Sequence, residues 1–156
     1  MSGIKSDNTY DVIGDFGGVG FWKYSNDNWQ QLSNCDAESF ALSQFKTDGT
    51  YDIIGAFGNN GFWKYSDNTW SQLSVYDPES FLISGMLADN KYDIIGDFGS
   101  KGLWKCSNDS WSQLSDCDAT SLKITSIKSD GTYDIIGDFG VNGFWKYSSN
   151  NWVMLS

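Results

Sequence analysis

Histidine is missing from this 156-residue chain, and so is arginine. Without an imidazole no Ser-His-Asp or Cys-His arrangement can form within the chain, and zinc sites built on histidine are excluded. All ten basic residues are lysines, set against twenty acids, for a net charge of −10. Phosphate backbones are held by clustered Lys and Arg, so nucleic acid is an unsuitable partner, and anionic membranes are disfavoured on the same ground. No apolar run reaches the roughly 20 residues of a membrane-spanning helix. Met1-Ser-Gly-Ile-Lys5 shows no signal-peptide pattern. The compartment stays unassigned, although the composition suits a secreted or surface-facing parent protein.

What the chain does have is a repeat. Tyr10-Asp-Val-Ile-Gly-Asp-Phe-Gly17 returns at Tyr51, Tyr92 and Tyr133, each step being 41 residues. Trp22, Trp63, Trp104 and Trp145 keep the same step, as do Trp29, Trp70, Trp111 and Trp152. No insertion or deletion breaks the register. A fixed period near 40 marks an array whose units bury their apolar faces against their neighbours. The units read 1–33, with a shortened first strand, then 34–74, 75–115 and 116–156, forming a single propeller domain or half of one.

Within the second unit, Ser39–Phe45, Thr50–Phe57, Gly61–Ser66 and Trp70–Ser74 are short runs rich in aromatic and β-branched residues. Thr47-Asp-Gly49, Gly58-Asn-Asn-Gly61, Asp67-Asn-Thr69 and Val75-Tyr-Asp-Pro78 separate them. No stretch between these breakers holds an ordinary helix of about 11 residues. Short strands with hairpin-length connections predict an antiparallel meander. Four such strands in 41 residues is the dimension of a β-propeller blade. The expected fold is therefore all-β, a β-propeller with four four-stranded blades per chain.

Lys128-Ser-Asp-Gly-Thr-Tyr-Asp-Ile-Ile-Gly137 and Asp48-Gly-Thr-Tyr-Asp-Ile-Ile-Gly-Ala56 resemble the ends of FG-GAP or VCBS repeats. That resemblance implies an integrin-like or lectin-like propeller and a calcium loop of the form D-x-D/N-x-D-G-x-x-D. On the last unit the first, third, fifth and ninth positions of the motif fall on Ser126, Lys128, Asp130 and Asp134. The second unit repeats this with Gln44, Lys46, Asp48 and Asp52, and the first with Gly3, Lys5, Asp7 and Asp11. The third has Gly85, Leu87, Asp89 and Asp93. Calcium takes about six to eight oxygen ligands, and an ammonium in the loop repels it. The lysine reads as a built-in replacement for the cation, so neither metal nor cofactor is expected.

The cysteines do not suggest a disulfide framework. Cys35 and Cys117 lie 82 residues apart, two periods, and Cys106 takes the place of Tyr24, Tyr65 and Tyr147. Three free thiols are expected.

For function, Asp15, Asp97 and Asp138 recur where the second unit has Ala56. Strand-end capping explains them better than paired-carboxylate catalysis, and no enzyme activity is expected. The four tryptophans beginning at Trp22 are read as packing between blades, and those beginning at Trp29 as half exposed. Gly14, Gly55, Gly96 and Gly137 interrupt a strand, where each is expected to make room for a neighbouring blade's ring. One face is expected to gather the Gly58-Asn-Asn-Gly61 type loops with the segments joining units. Its acids, amides and aromatics suit neutral sugars. The candidate carbohydrate-binding residues are Asp36, Glu38, Asn59, Asn60, Tyr76, Asp77, Glu79, Asp118 and Asn142. The expected function is a non-enzymatic multivalent lectin, with a structural or protein-interaction array as the alternative, natural or engineered. The shortened first strand leaves an edge, and exposed edges recruit partners. The expected partner is a second copy, giving an eight-bladed ring with two-fold symmetry, with a four-bladed monomer as the alternative.

Overall fold

A computed structural model describes residues 1–156. The first sheet contains β1 (Val12–Asp15), β2 (Phe21–Ser25) and β3 (Asn28–Ser33). The second contains β4 (Ser39–Leu42), β5 (Ile53–Ala56), β6 (Phe62–Ser66) and β7 (Thr69–Ser74). The third contains β8 (Ser80–Ile83), β9 (Ile94–Asp97), β10 (Leu103–Ser107) and β11 (Ser110–Ser115). The fourth contains β12 (Ser121–Ile124), β13 (Ile135–Asp138), β14 (Phe144–Ser148) and β15 (Asn151–Met154). In every sheet the spatial order follows the chain and all pairs are antiparallel. The predicted meander is therefore present. The first two strands of the second sheet are shorter than the sequence runs: β4 stops at Leu42 and β5 begins at Ile53.

Turn chemistry fixes the register. The last hairpin of each sheet turns through two residues of positive φ: Asn26-Asp27, Asp67-Asn68, Asn108-Asp109 and Ser149-Asn150. Two consecutive left-handed residues make the type I′ turn, whose twist matches the flanking strands. Asn and Asp tolerate that conformation better than most residues. The result aligns Ser66 with Thr69 and Tyr65 with Trp70. Farther along, a bulge falls between Phe62 and Trp63, as it does at Phe21/Trp22 and Leu103/Trp104. Each bulge passes over a leucine of the outer strand: Leu32 between Gln31 and Ser33, and Leu114 between Gln113 and Ser115.

The chain divides into two compact units, Met1–Asp77 and Pro78–Ser156, each holding two of the sheets. In the first unit Ile13, Phe21, Ile53, Phe57 and Tyr65 form the core, with Phe40, Trp63 and Trp70 packed around them. Phe21 is fully buried. It meets Phe40, Phe57 and Trp70 of the next sheet with ring centroids 4.9, 6.0 and 6.3 Å away. Trp70 Nε1 donates to Leu32 O at 2.8 Å, so the carbonyl at the bulge anchors the following sheet. The second unit repeats the joint with Ile95, Leu103, Leu122, Ile135 and Phe139, and Trp152 Nε1 donates to Leu114 O at 2.8 Å.

Trp63 and Trp145 pack against the cores and Trp70 and Trp152 are half-buried, as expected; Trp70 and Trp152 in addition hydrogen-bond across the joints. One expectation is corrected. The strand glycines make room for a ring of their own sheet. A Cβ on Gly14, Gly55, Gly96 or Gly137 would meet the phenylalanine two residues on at 2.6 to 3.0 Å. That ring folds back over its own strand, and only Gly leaves the space.

Candidate functional site

Two pockets of one design occur, one in each compact unit. The first is lined by Ser33, Cys35, Phe57, Asn60, Trp63 and Trp70 and encloses about 300 Å³. The second is lined by Ser115, Cys117, Phe139, Asn142, Trp145 and Trp152 and encloses about 350 Å³. Each lining residue of the second lies two periods beyond its counterpart, and all six residue types are the same. Each pocket lies at the joint between two sheets, so neither sheet makes it alone.

Local structure holds the walls still. Trp63 Nε1 donates to Asn60 O at 2.7 Å and Trp145 Nε1 to Asn142 O at 2.6 Å. Trp70 and Trp152 are tied by the bulge carbonyls. With both indole N–H groups committed to backbone, the ring faces are what remains for a ligand. Phe57 stands edge-on to Trp70 at 5.4 Å, as Phe139 does to Trp152. Polar groups sit at the rim: the exposed Asn60 or Asn142, and Ser33 or Ser115, whose Oγ accepts from the Cys35 or Cys117 N–H at 3.0 Å. Cys35, Cys106 and Cys117 are free thiols.

Asn60 and Asn142 are thus the two candidate residues that line a pocket. The candidate acids form the neighbouring loop face. Asp36 is paired with Asp15, whose carboxyl hydrogen-bonds to it and whose charge adds to the effect, raising the Asp36 carboxyl above its ordinary value. Glu38 lies against Gly58 and Glu79 against Gly99, which brings the sheet-joining segments onto the Gly-rich loops as expected. Asp15, Asp97 and Asp138 accept from the N–H of Gly17, Gly99 and Gly140 at 3.2, 3.1 and 2.9 Å, the expected strand-end caps. Where Ala56 interrupts this set, Asp77 hydrogen-bonds to the Gly58 backbone instead. Asp77 Oδ1 is buried with no partner, and burial raises its carboxyl, with the charge of Glu38 adding to it. Burial also pushes the Asp97 carboxyl up to about 6, helped by the charges of Asp118 and Glu79 and opposed by the backbone of Gly99 and Ala119. Asn59 and Tyr76 are exposed.

The opposite turns carry the lysines. Lys5 Nζ lies 2.5 Å from Asp11 Oδ1, and Lys46 and Lys128 lie 2.6 Å from Asp52 and Asp134. Burial alone would raise the Asp11 carboxyl. Hydrogen bonds from Lys5, Ser25 and Tyr51 and the charge of Lys23 outweigh it and hold the group well below the carboxylate range. Tyr51 donates to Asp11 across the joint at 2.6 Å, and Tyr133 to Asp93 at 2.5 Å. In the third repeat, where Leu87 replaces the lysine, Asp93 also accepts from Ser107 at 2.6 Å. No group of three or more acids, cysteines or histidines is placed to hold a metal ion.

Sequence reasoning missed Ser33, Cys35, Phe57 and Trp70. The available signal was identity at alternate repeats. Cys35 and Asn60 recur at Cys117 and Asn142, while the repeat between them has Tyr76 and Lys101. Compared with known proteins, the chain matches no family model and no curated protein.

Proposed function

We propose that the chain is a non-enzymatic, multivalent carbohydrate-binding array of propeller blades. Each pocket between sheets takes one residue of a neutral sugar. The recurrence of the same six-residue pocket two periods apart carries this reading. Two indole faces and a phenylalanine edge suit the C–H face of a pyranose, and a rim amide and hydroxyl suit its O–H groups. A volume near 300 Å³ is at the lower end for small-molecule sites and admits a single sugar unit. Weak identical sites gain strength by simultaneous engagement.

The acids fit this reading as scaffold. Asp15, Asp97 and Asp138 are taken up in capping the N–H groups of Gly17, Gly99 and Gly140. The resemblance to FG-GAP or VCBS repeats belongs here too, as a degenerate form in which Lys5, Lys46 and Lys128 supply the positive charge.

A glycan array, read alongside a Trp63→Ala, Trp145→Ala double variant, tests the proposal. Binding to neutral glycans that the double variant loses by tenfold or more is the expected result. Silence across the array at high protein concentration would leave a structural or protein-interaction array. That second reading is favoured by the loop pairs Gly18-Val19, Asn59-Asn60, Ser100-Lys101 and Val141-Asn142, which share no side-chain chemistry beyond Asn60 and Asn142.

A further inference from the structure

The joint between first and second sheets has two dissimilar halves. One offers Asp11, Phe21 and the Leu32 carbonyl, and the other brings Tyr51, Phe57 and Trp70 onto them. The same two halves recur, uncovered, in the outermost repeats. On the fourth sheet Asp134, Phe144 and Leu155 stand three periods beyond Asp11, Phe21 and Leu32. Phe144 is 39% exposed where Phe21 is 0%. On the first sheet Tyr10, Phe16 and Trp29 stand one period before Tyr51, Phe57 and Trp70. They are 52%, 52% and 44% exposed, whereas Phe57 is 6% exposed. Phe16 and Trp29 already hold the edge-on arrangement of Phe57 and Trp70, with centroids 5.5 Å apart.

We infer that these two faces join head-to-tail between copies of this chain. The Phe16 and Trp29 rings of one copy seat on Phe144 of the second. Trp29 Nε1 donates to the Leu155 carbonyl, and the Tyr10 hydroxyl to the Asp134 carboxylate. The two joints described above, Asp11 with Tyr51 and Asp93 with Tyr133, supply the pattern for each contact. Because the halves differ, the contact is heterologous. Two copies that exchange both contacts leave neither face uncovered. The joint also completes a further aromatic pocket. Ser156 of the second copy comes to Phe16, Trp22 and Trp29 as Ser33 comes to Phe57, Trp63 and Trp70, with Val19 in the place of Asn60.

Light scattering and sedimentation of the whole chain at micromolar concentration test the joint without any ligand, so the result stands apart from the sugar reading. The expected particle has twice the 17.4 kDa chain mass. Trp29→Asp and Phe144→Asp each alter a side chain exposed in the single chain and are expected to give particles of one chain mass. Their equimolar mixture retains one intact pair of faces and is expected to recover a two-chain particle. Tyr10→Phe, which deletes only one hydroxyl, is expected to weaken assembly severalfold and covers the case in which an aspartate variant fails to fold. A wild-type particle of one chain mass overturns the joint, as does assembly of either aspartate variant at wild-type strength. A mixture of the folded aspartate variants that stays at one chain mass overturns the head-to-tail geometry.

Discussion

A carboxyl as deeply buried as that of Asp97 keeps its proton longer in the folded chain than in the unfolded one. Its folded value of about 6 lies above the ordinary 3.8, so ionising it costs the native state as pH rises through that window. One pKa unit is about 1.4 kcal/mol. Asp97→Asn keeps an oxygen for the Gly99 N–H and removes the titration. The variant is therefore expected to equal the wild type near pH 4 and to exceed it by about 2 kcal/mol at pH 7.5, read from urea midpoints at the two pH values. Equal midpoints at pH 7.5 would contradict the assignment. The tyrosines make a second comparison at this scale. Burial, and then the Asp11 or Asp93 carboxylate, pushes the Tyr51 and Tyr133 hydroxyls above their ordinary value. A hydrogen bond to a charged group contributes about 1.5 to 3 kcal/mol. Asp11 keeps Lys5 when Tyr51 is lost, whereas Leu87 takes the matching position in the loop of Asp93 and the nearby Lys91 lies against Asp89. Tyr133→Phe is therefore expected to cost about 1 kcal/mol more than Tyr51→Phe in urea unfolding.

At the level of the element, the Lys-x-Asp-Gly turns close on themselves. Asp48 accepts from Thr50 N and Oγ1 at 2.9 and 2.7 Å, and Lys46 occupies Asp52. Chelation is accordingly expected to leave the melting temperature unchanged, and a rise of several degrees on adding millimolar calcium would show that the loops hold the ion after all. These turns were readable from residue types because Asp, Asn and Gly act there through local hydrogen bonds and allowed φ values. The strands were readable as runs, but their ends were not. Thr50 and Tyr51 are as suited to a strand as Ile53, yet Tyr51 is drawn to Asp11 of another sheet. The hydrogen bonds of Trp70 and Trp152 across the joints are hidden for a related reason. Period alone does not say which residue the bulge at Phe62/Trp63 aims at a neighbour.

At the scale of the whole molecule, the unbroken period gave the all-β repeat and the number of sheets from sequence. The pockets were half visible. Asn60 and Asn142 lie in loops whose polarity advertises them. Phe57 and Trp70 look like core, because they are core on one edge and pocket wall on the other. Only their position at a joint gives them both roles. The anchoring of each joint on Leu32 O or Leu114 O has an evolutionary corollary. A main-chain acceptor survives any point substitution of its own residue, so the leucine that recurs at 32, 73, 114 and 155 is kept for its packing and not for this bond. The acceptor does not survive an insertion or a deletion, which would carry the carbonyl out of reach of the next indole. Selection on such joints tolerates misspelling and removes frame slips, and a lineage copied under that rule keeps its 41-residue spacing while its loop residues diverge.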